Sequence, residues 1–69
     1  MAYIIQEIQT TNGVPALATP TTYTDRNQAD SAYFTILAAA AVSQIEQHYV
    51  LMYKEDGKVV RSDGYTHQA

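Results

Sequence analysis

The stretch DRNQADSAYFTILAAAAVSQ, residues 25–44, decides the fold. It is the one segment that is long enough, and free enough of glycine and proline, to form a helix of several turns. Asp25 is a suitable N-cap, because its short carboxylate can accept a backbone N–H of the first turn, and Thr24 is the alternative cap. The stretch therefore predicts a helix over residues 26–43.

This predicted helix is apolar on two sides. At about 100° per residue, an inner side that faces a core is formed by Ala29, Ala32, Tyr33, Ile36, Ala40 and Ser43. The outer side is also apolar, since no charged residue occurs between Asp30 and Glu46. Alanine tolerates exposure, so one interpretation is a solvated outer side. We favour a second interpretation, in which the outer side of the helix packs against another chain. That candidate interface comprises Phe34, Leu37, Ala38, Ala41 and Val42.

The segments on either side of the helix predict two β-hairpins. Asn12-Gly13 and Asp56-Gly57 are typical of tight hairpin turns, because both positions tolerate positive φ. The predicted strands cover residues 2–10, 14–19, 45–54 and 59–63, followed by a loose tail over 64–69. The order ββαββ predicts a single α+β domain over residues 1–69, with a four-stranded antiparallel sheet and one helix on one of its faces.

The strand over residues 45–54 has two largely apolar sides, which is typical of a central strand. His48, Val50 and Met52 alternate with Tyr49, Leu51 and Tyr53. We expect one of these sides, together with Tyr3 and Ile5, to lie on the sheet face that the helix leaves uncovered. Two uncovered apolar surfaces on one small chain predict self-association or a dedicated partner.

Composition restricts the function classes. The chain has 69 residues and no cysteine, so it has little room for a core and no disulfide to support it, which favours oligomerisation. The net charge of −3 includes only four basic residues, too few for a nucleic-acid-binding patch. No apolar run is long enough to span a membrane, and the N-terminus lacks the pattern of a signal peptide. We expect a protein of the cytoplasm, with no nucleic-acid or membrane partner.

Residues suited to catalysis or metal binding are scarce. His48 and His67 are the only histidines, and His48 points away from Tyr49 if both lie on a strand. No serine lies in a nucleophile motif, and no glycine-rich phosphate loop or calcium loop is present. We therefore expect no catalytic residue, no metal and no cofactor.

The chain contains six tyrosines, whose flat rings and hydroxyls suit protein interfaces and also stack on nucleobases. Their presence is also explained by the preference of aromatic residues for strands. We single out Tyr49, Tyr53 and Arg61 as a possible ligand or partner face. In one alternative, tyrosine rings between protomers bind a nucleotide-like ligand, and Arg61 or Arg26 binds its phosphate.

Three stretches carry a resemblance to small proteins of gut Firmicutes and their phages. They are YIIQEIQTTNG (residues 3–13), TPTTYTDRNQADSAY (residues 19–33) and ILAAAAVS (residues 36–43), followed by a β-hairpin. The resemblance implies a short accessory protein of a bacterium or its virus, and it implies no activity or site residue. Proteins of this kind look like inhibitors of host defence or minor virion components.

These observations predict a non-enzymatic, self-associating protein-interaction module. In the setting that the resemblance implies, it inhibits a host protein by binding it in the bacterial cytoplasm. One alternative is an oligomeric sponge that sequesters a nucleotide-like ligand between protomers. Another is a minor structural component of a virion.

Overall fold

A computed structural model describes residues 1–67 and shows an α+β fold in which one helix packs on an antiparallel sheet of five strands. The elements are β1 (Tyr3–Thr11), β2 (Val14–Leu17), β3 (Thr21–Tyr23), α1 (Arg26–Val42), β4 (Gln47–Lys54) and β5 (Val59–Thr66). The sheet order is β2-β1-β4-β5, and β3 also pairs with β1. The predicted fold class and the approximate order of elements are confirmed, with five strands in place of four.

The additional strand, β3, continues the line of β2 along the same edge of β1. β2 pairs with the residues from Ile8 to Thr11, and β3 pairs with those from Tyr3 to Ile5. Pro20 lies between the two short strands and has no N–H for the ladder. The predicted strand over residues 14–19 ends at Leu17, and pairing resumes over Thr21–Tyr23, between this predicted strand and the predicted helix.

Both predicted hairpin turns are present. Asn12 and Gly13 have φ values of 54° and 77°, and Gly57 has a φ of 89°, which is the left-handed conformation that these turns require. The predicted loose tail is wrong for the residues that the structure describes. β5 runs on through Gly64 to Thr66, and the His67 N–H donates to the Glu46 carbonyl at 2.7 Å. Residues 68 and 69 lie outside the described residues.

The helix begins and ends close to its predicted limits. The Asp25 carboxylate accepts the Asn27 N–H at 2.9 Å, which confirms Asp25 as the N-cap, and Ser43 is the C-cap. Ala29, Tyr33 and Ala40 are buried on the predicted inner side. This burial on one side holds the helix on the sheet.

The core lies between α1 and one face of the sheet, and it is formed by Ile5, Ala29, Tyr33, Val50 and Met52. The expectation that Tyr3 and Ile5 face away from the helix is wrong. Ile5 is 2 % exposed and lies opposite Met52, and Tyr3 packs against the same core. Because side chains alternate along a strand, Ile4 and Ile8 are the apolar β1 residues on the uncovered face.

Gly64 allows the Tyr49 ring to lie across the neighbouring strand. The two residues face each other in the β4–β5 ladder, and a Cβ on Gly64 would come within 2.7 Å of Tyr49 Cε1 and Cγ. Tyr49 also places its hydroxyl 3.1 Å from Thr66 Oγ1. The missing side chain of Gly64 is therefore what makes room for the tyrosine.

We expect Gly64→Ala to lower the free energy of unfolding by about 1–3 kcal/mol, because the added methyl group overlaps the Tyr49 ring. Urea unfolding followed by circular dichroism measures the loss. In a Tyr49→Ala variant the ring is absent, so the methyl group added by Gly64→Ala fits. Gly64→Ala should then lower the free energy of unfolding by less than about 1 kcal/mol. An equal cost in both backgrounds would show that the ring is not the obstacle.

Candidate functional site

The most extensive unpartnered surface is the side of the sheet away from α1, which we call the open face. Residues directly opposite in a ladder share a face, so the register assigns its members. The large apolar ones are Ile4, Ile8, Leu17, Tyr49, Leu51, Tyr53 and Val59. Leu17 is 64 % exposed, Val59 is 59 % exposed, and the other five are partly exposed. Large apolar side chains thus lie next to one another across the sheet, and no element within residues 1–67 covers them.

No strand residue on the open face is charged. The strands contain four charged residues, Glu7, Lys54, Arg61 and Asp63, and the register places all of them on the helix side. In antiparallel sheets the solvated side is commonly the polar one. Here the distribution of charge is reversed, which is the arrangement expected of a face that becomes buried.

A shallow groove of about 410 Å³ crosses the open face. It is lined by Ile8 on β1, by Tyr49, Val50 and Leu51 on β4, and by Ser62, Asp63 and Gly64 on β5, and the register places the side chains of Val50 and Asp63 on the helix side. The small residues on β5 leave this depression beside the larger side chains of β4. The groove can therefore accept an apolar side chain from a facing surface.

The predicted ligand or partner face is divided between the two sides of the sheet. Tyr49 and Tyr53 lie on the open face, whereas Arg61 lies opposite Met52 on the helix side. The Arg61 guanidinium lies 3.5 Å from Asp30 Oδ1. Within one chain, the structure therefore does not bring this arginine together with the two tyrosines.

Arg26, the other predicted phosphate ligand, lies at the start of α1 on the helix side. Its Nε donates to the same Asp30 oxygen at 3.3 Å, and its guanidinium lies 5.5 Å from the centre of the Tyr3 ring. Both arginines are thus held by one carboxylate.

The predicted interface on α1 is narrower than the sequence suggested. Phe34 is 49 % exposed and Val42 is 83 % exposed, and Ala38 between them is exposed as well. Leu37 packs against the core, and Ala41 is partly buried. The outer side of α1 is therefore a stripe along Phe34, Ala38 and Val42.

The Phe34 ring has charged neighbours. It meets the Tyr33 ring edge to face at 5.2 Å, and the Arg61 guanidinium lies 5.1 Å from its centre. A cation this close to an aromatic face is attracted by the ring. The exposed end of the stripe is therefore bordered by Arg61 and by its partner Asp30.

A hydrogen-bonded chain of side chains connects the end of α1 to the sheet. His48 is 4 % exposed, its Nδ1 lies 3.0 Å from Ser43 Oγ, and its Nε2 bonds to the Glu7 carboxylate. Gln9 Nε2 donates to the same carboxylate oxygen at 3.3 Å. The sequence analysis identifies no partner for His48, because Glu7 lies 41 positions away on another strand.

Serine, histidine and glutamate in this order look like a nucleophilic relay, but their position favours a structural role. Ser43 caps the C-terminal end of α1, where backbone carbonyls carry partial negative charge and would oppose a developing oxyanion. The groove lies on the opposite face of the sheet from His48. We therefore interpret the cluster as a link that holds the end of the helix on β1 and β4.

Two further findings concern the part of the chain that the structure describes. Among residues 1–67, no group of three or more His, Asp or Glu side chains is arranged to hold a metal ion. The helix α1 is too short and not apolar enough to cross a membrane.

Tyr33 is the buried residue whose ionisation is most clearly perturbed. Burial of the ring, and then the hydrogen bond that its hydroxyl donates to Asp63 at 3.0 Å, raise the pKa of Tyr33 to about 12 from an ordinary 10.0. Both causes favour the neutral phenol. Tyr33 therefore contributes stability below pH 10, and that contribution is lost as the pH rises through about 12.

We expect the free energy of unfolding to fall between pH 10 and 12 by about 1–2 kcal/mol more than in a Tyr33→Phe variant, which has no phenol at this position. Urea unfolding of the two proteins at matched pH values measures the difference. The remaining tyrosines are common to both proteins and cancel in the comparison. Parallel pH profiles would contradict the raised pKa.

The chain matches no protein-family model, no curated protein and no solved structure. The open face, the outer side of α1 and the cluster around His48 are the features from which a function can be argued.

Proposed function

We propose that the protein is a non-enzymatic, self-associating protein-interaction module. The observation that carries this proposal is the open face, where large apolar side chains extend across the sheet with no charged residue among them. Contiguous exposed apolar surface of this kind marks interaction sites in soluble proteins.

The shape of the chain supports the same proposal. Its principal extents are 39 × 20 × 16 Å, so it is one helix layer and one sheet layer thick. A chain of this size buries a smaller fraction of its surface than a larger domain does when it folds alone, and it has no disulfide to compensate. Association through an apolar face would add the burial that the single chain lacks.

The setting of the proposal comes from the sequence resemblance. We extend it to an accessory protein of a bacterium or phage that inhibits a host protein by occupying its surface in the cytoplasm. Such an inhibitor needs a rigid scaffold and an exposed surface, and it needs no catalytic group. The interior here is fully hydrogen-bonded, since every buried side-chain N and O atom within residues 1–67 has a partner.

The test is the solution mass of the wild-type protein, measured by size-exclusion chromatography with light scattering over a concentration series. Self-association predicts a mass of at least twice the 7.6 kDa of one chain, with dissociation on dilution if the assembly is weak. A mass of 7.6 kDa at every concentration, up to the millimolar range, would overturn the proposal.

A further inference from the structure

We propose that the self-association surface is the open face, and that its occupant is the open face of a second copy of this chain, packed sheet against sheet. The inference rests on the proposed self-association and assigns it to one surface and one geometry. The two helices then lie on the outside of a four-layer dimer. Sequence reasoning had placed the interface on the outer side of α1 instead.

Charge is the first argument for a second copy. Around a two-fold axis each copy offers the same patch, so a charged group on the axis meets its own copy, and one away from the axis loses water unless the patch also holds an opposite charge to pair with it. The open face has no charged strand residue, because Glu7, Lys54, Arg61 and Asp63 all lie on the helix side. It can therefore pack against a second copy without burying a charged side chain of its strands.

The outer side of α1, in contrast, has charged groups next to its apolar side chains. Arg61 lies 5.1 Å over the exposed Phe34 ring, and its side chain is 30 % exposed next to Asp30. Packing two copies through Phe34 would remove water from these ionised groups, and burial of an ion pair seldom repays that cost. The comparison between the two apolar surfaces favours the sheet.

The area of the open face lies at the lower limit for a specific dimer. Four columns of strands about 4.8 Å apart span roughly 19 Å, and an eight-residue strand such as β4 is roughly 27 Å long. The footprint is then roughly 500 Å² per chain, or about 1,000 Å² for the pair. That value reaches the lower limit for specific interfaces.

The shape of the open face, with a groove beside large side chains, is suited to packing against a second sheet. Facing sheets lie about 10 Å apart and interdigitate their side chains. The groove of about 410 Å³ beside Tyr49 and Gly64 is a recess for side chains from the facing sheet. Among the register pairs on the open face, Leu51 and Gln6 lie nearest the middle of the two central strands, β1 and β4, so the two-fold axis should pass close to them.

A pair of matched variants tests this assignment. Leu51→Glu places a carboxylate in the middle of the open face, and Phe34→Glu places one on the outer side of α1. Neither side chain belongs to the buried core, and circular dichroism with a thermal melt checks that both variants fold. We expect Leu51→Glu to weaken self-association by about 100-fold or more, because the interface would bury an unpaired charge. Phe34→Glu should leave the dissociation constant within about threefold of wild type.

The outcomes separate this inference from the proposed function. If the Phe34→Glu protein dissociates and the Leu51→Glu protein stays dimeric, the sheet-on-sheet assignment is overturned. The proposed self-association then still stands. Undiminished association in both variants would also overturn the sheet-on-sheet assignment, and would point to another surface such as the free edge of β5. A monomeric wild-type protein would overturn both proposals.

If Leu51→Glu does not fold, Gln6→Lys places a charge at the adjacent polar position, and the same expectation applies to it.

Discussion

Tyr33→Ala is expected to lower the free energy of unfolding by about 3–5 kcal/mol, a large part of the stability of a domain of this length. Tyr33 is the largest fully buried side chain, and it lies in the core between α1 and the sheet. Truncation of a buried aromatic residue costs about 3–5 kcal/mol, through lost burial and the cavity that remains. A domain of this length has roughly 3–10 kcal/mol of stability in total. Far-UV circular dichroism and urea unfolding measure the loss directly.

The comparison with Tyr33→Phe separates packing from hydrogen bonding. Phenylalanine keeps the ring but loses the bond to Asp63, and Asp63 is exposed enough to be hydrated. The expected cost is therefore only about 1 kcal/mol. If Tyr33→Ala were as stable as Tyr33→Phe, the ring would not be the centre of the core.

His48→Ala is expected to lower the free energy of unfolding by about 2–4 kcal/mol. The change leaves a cavity under the end of α1 and removes the partner of the Glu7 carboxylate, whose side chain is 25 % exposed. It also releases Ser43 from the sheet. Amide hydrogen exchange should show faster opening in the last turn of α1, with urea unfolding giving the overall loss.

Ser43→Ala is the matched control for the His48 prediction. It removes one hydrogen bond of the cluster and leaves the pair of His48 and Glu7 intact, so its cost should be about 1 kcal/mol. The structural interpretation of the cluster requires the larger effect at His48. Equal and small effects at both positions would show that the cluster contributes little to holding the helix.

Local signals explain the parts of the fold that the sequence predicts well. The helix over residues 26–43 and its cap at Asp25 follow from short-range rules, and so do the turns at Asn12-Gly13 and Asp56-Gly57. The structure agrees with each of them to within a residue or two. Each of these features depends on residues that are close together in the chain.

The errors arise where pairing across the sheet outweighs local preference. The polar residues around Pro20 look like a connection, yet Thr21–Tyr23 pairs because the edge of β1 is free there. Gly64 looks like the start of a tail, yet β5 continues because the Tyr49 ring fills the space above the glycine. No signal in the sequence shows which strand partner will be available.

The candidate site was predictable in outline and not in detail. Alternation along β4 correctly separates Tyr49, Leu51 and Tyr53 from His48, Val50 and Met52. It does not say which of the two sides meets the helix, and the expectation for Tyr3 and Ile5 was wrong for that reason. The absence of charge on the open face is visible only after the strand register aligns β1, β4 and β5.

Chemical cross-linking through single cysteines tests the central claim most directly, because the chain has no cysteine of its own. Gln6→Cys places a thiol near the proposed two-fold axis, and Ser31→Cys places one on the exposed surface of α1 as the matched control. With a short bis-maleimide at a concentration where the wild-type protein is assembled, the account predicts a covalent dimer from Gln6→Cys and little from Ser31→Cys. A covalent dimer from Ser31→Cys alone would contradict it.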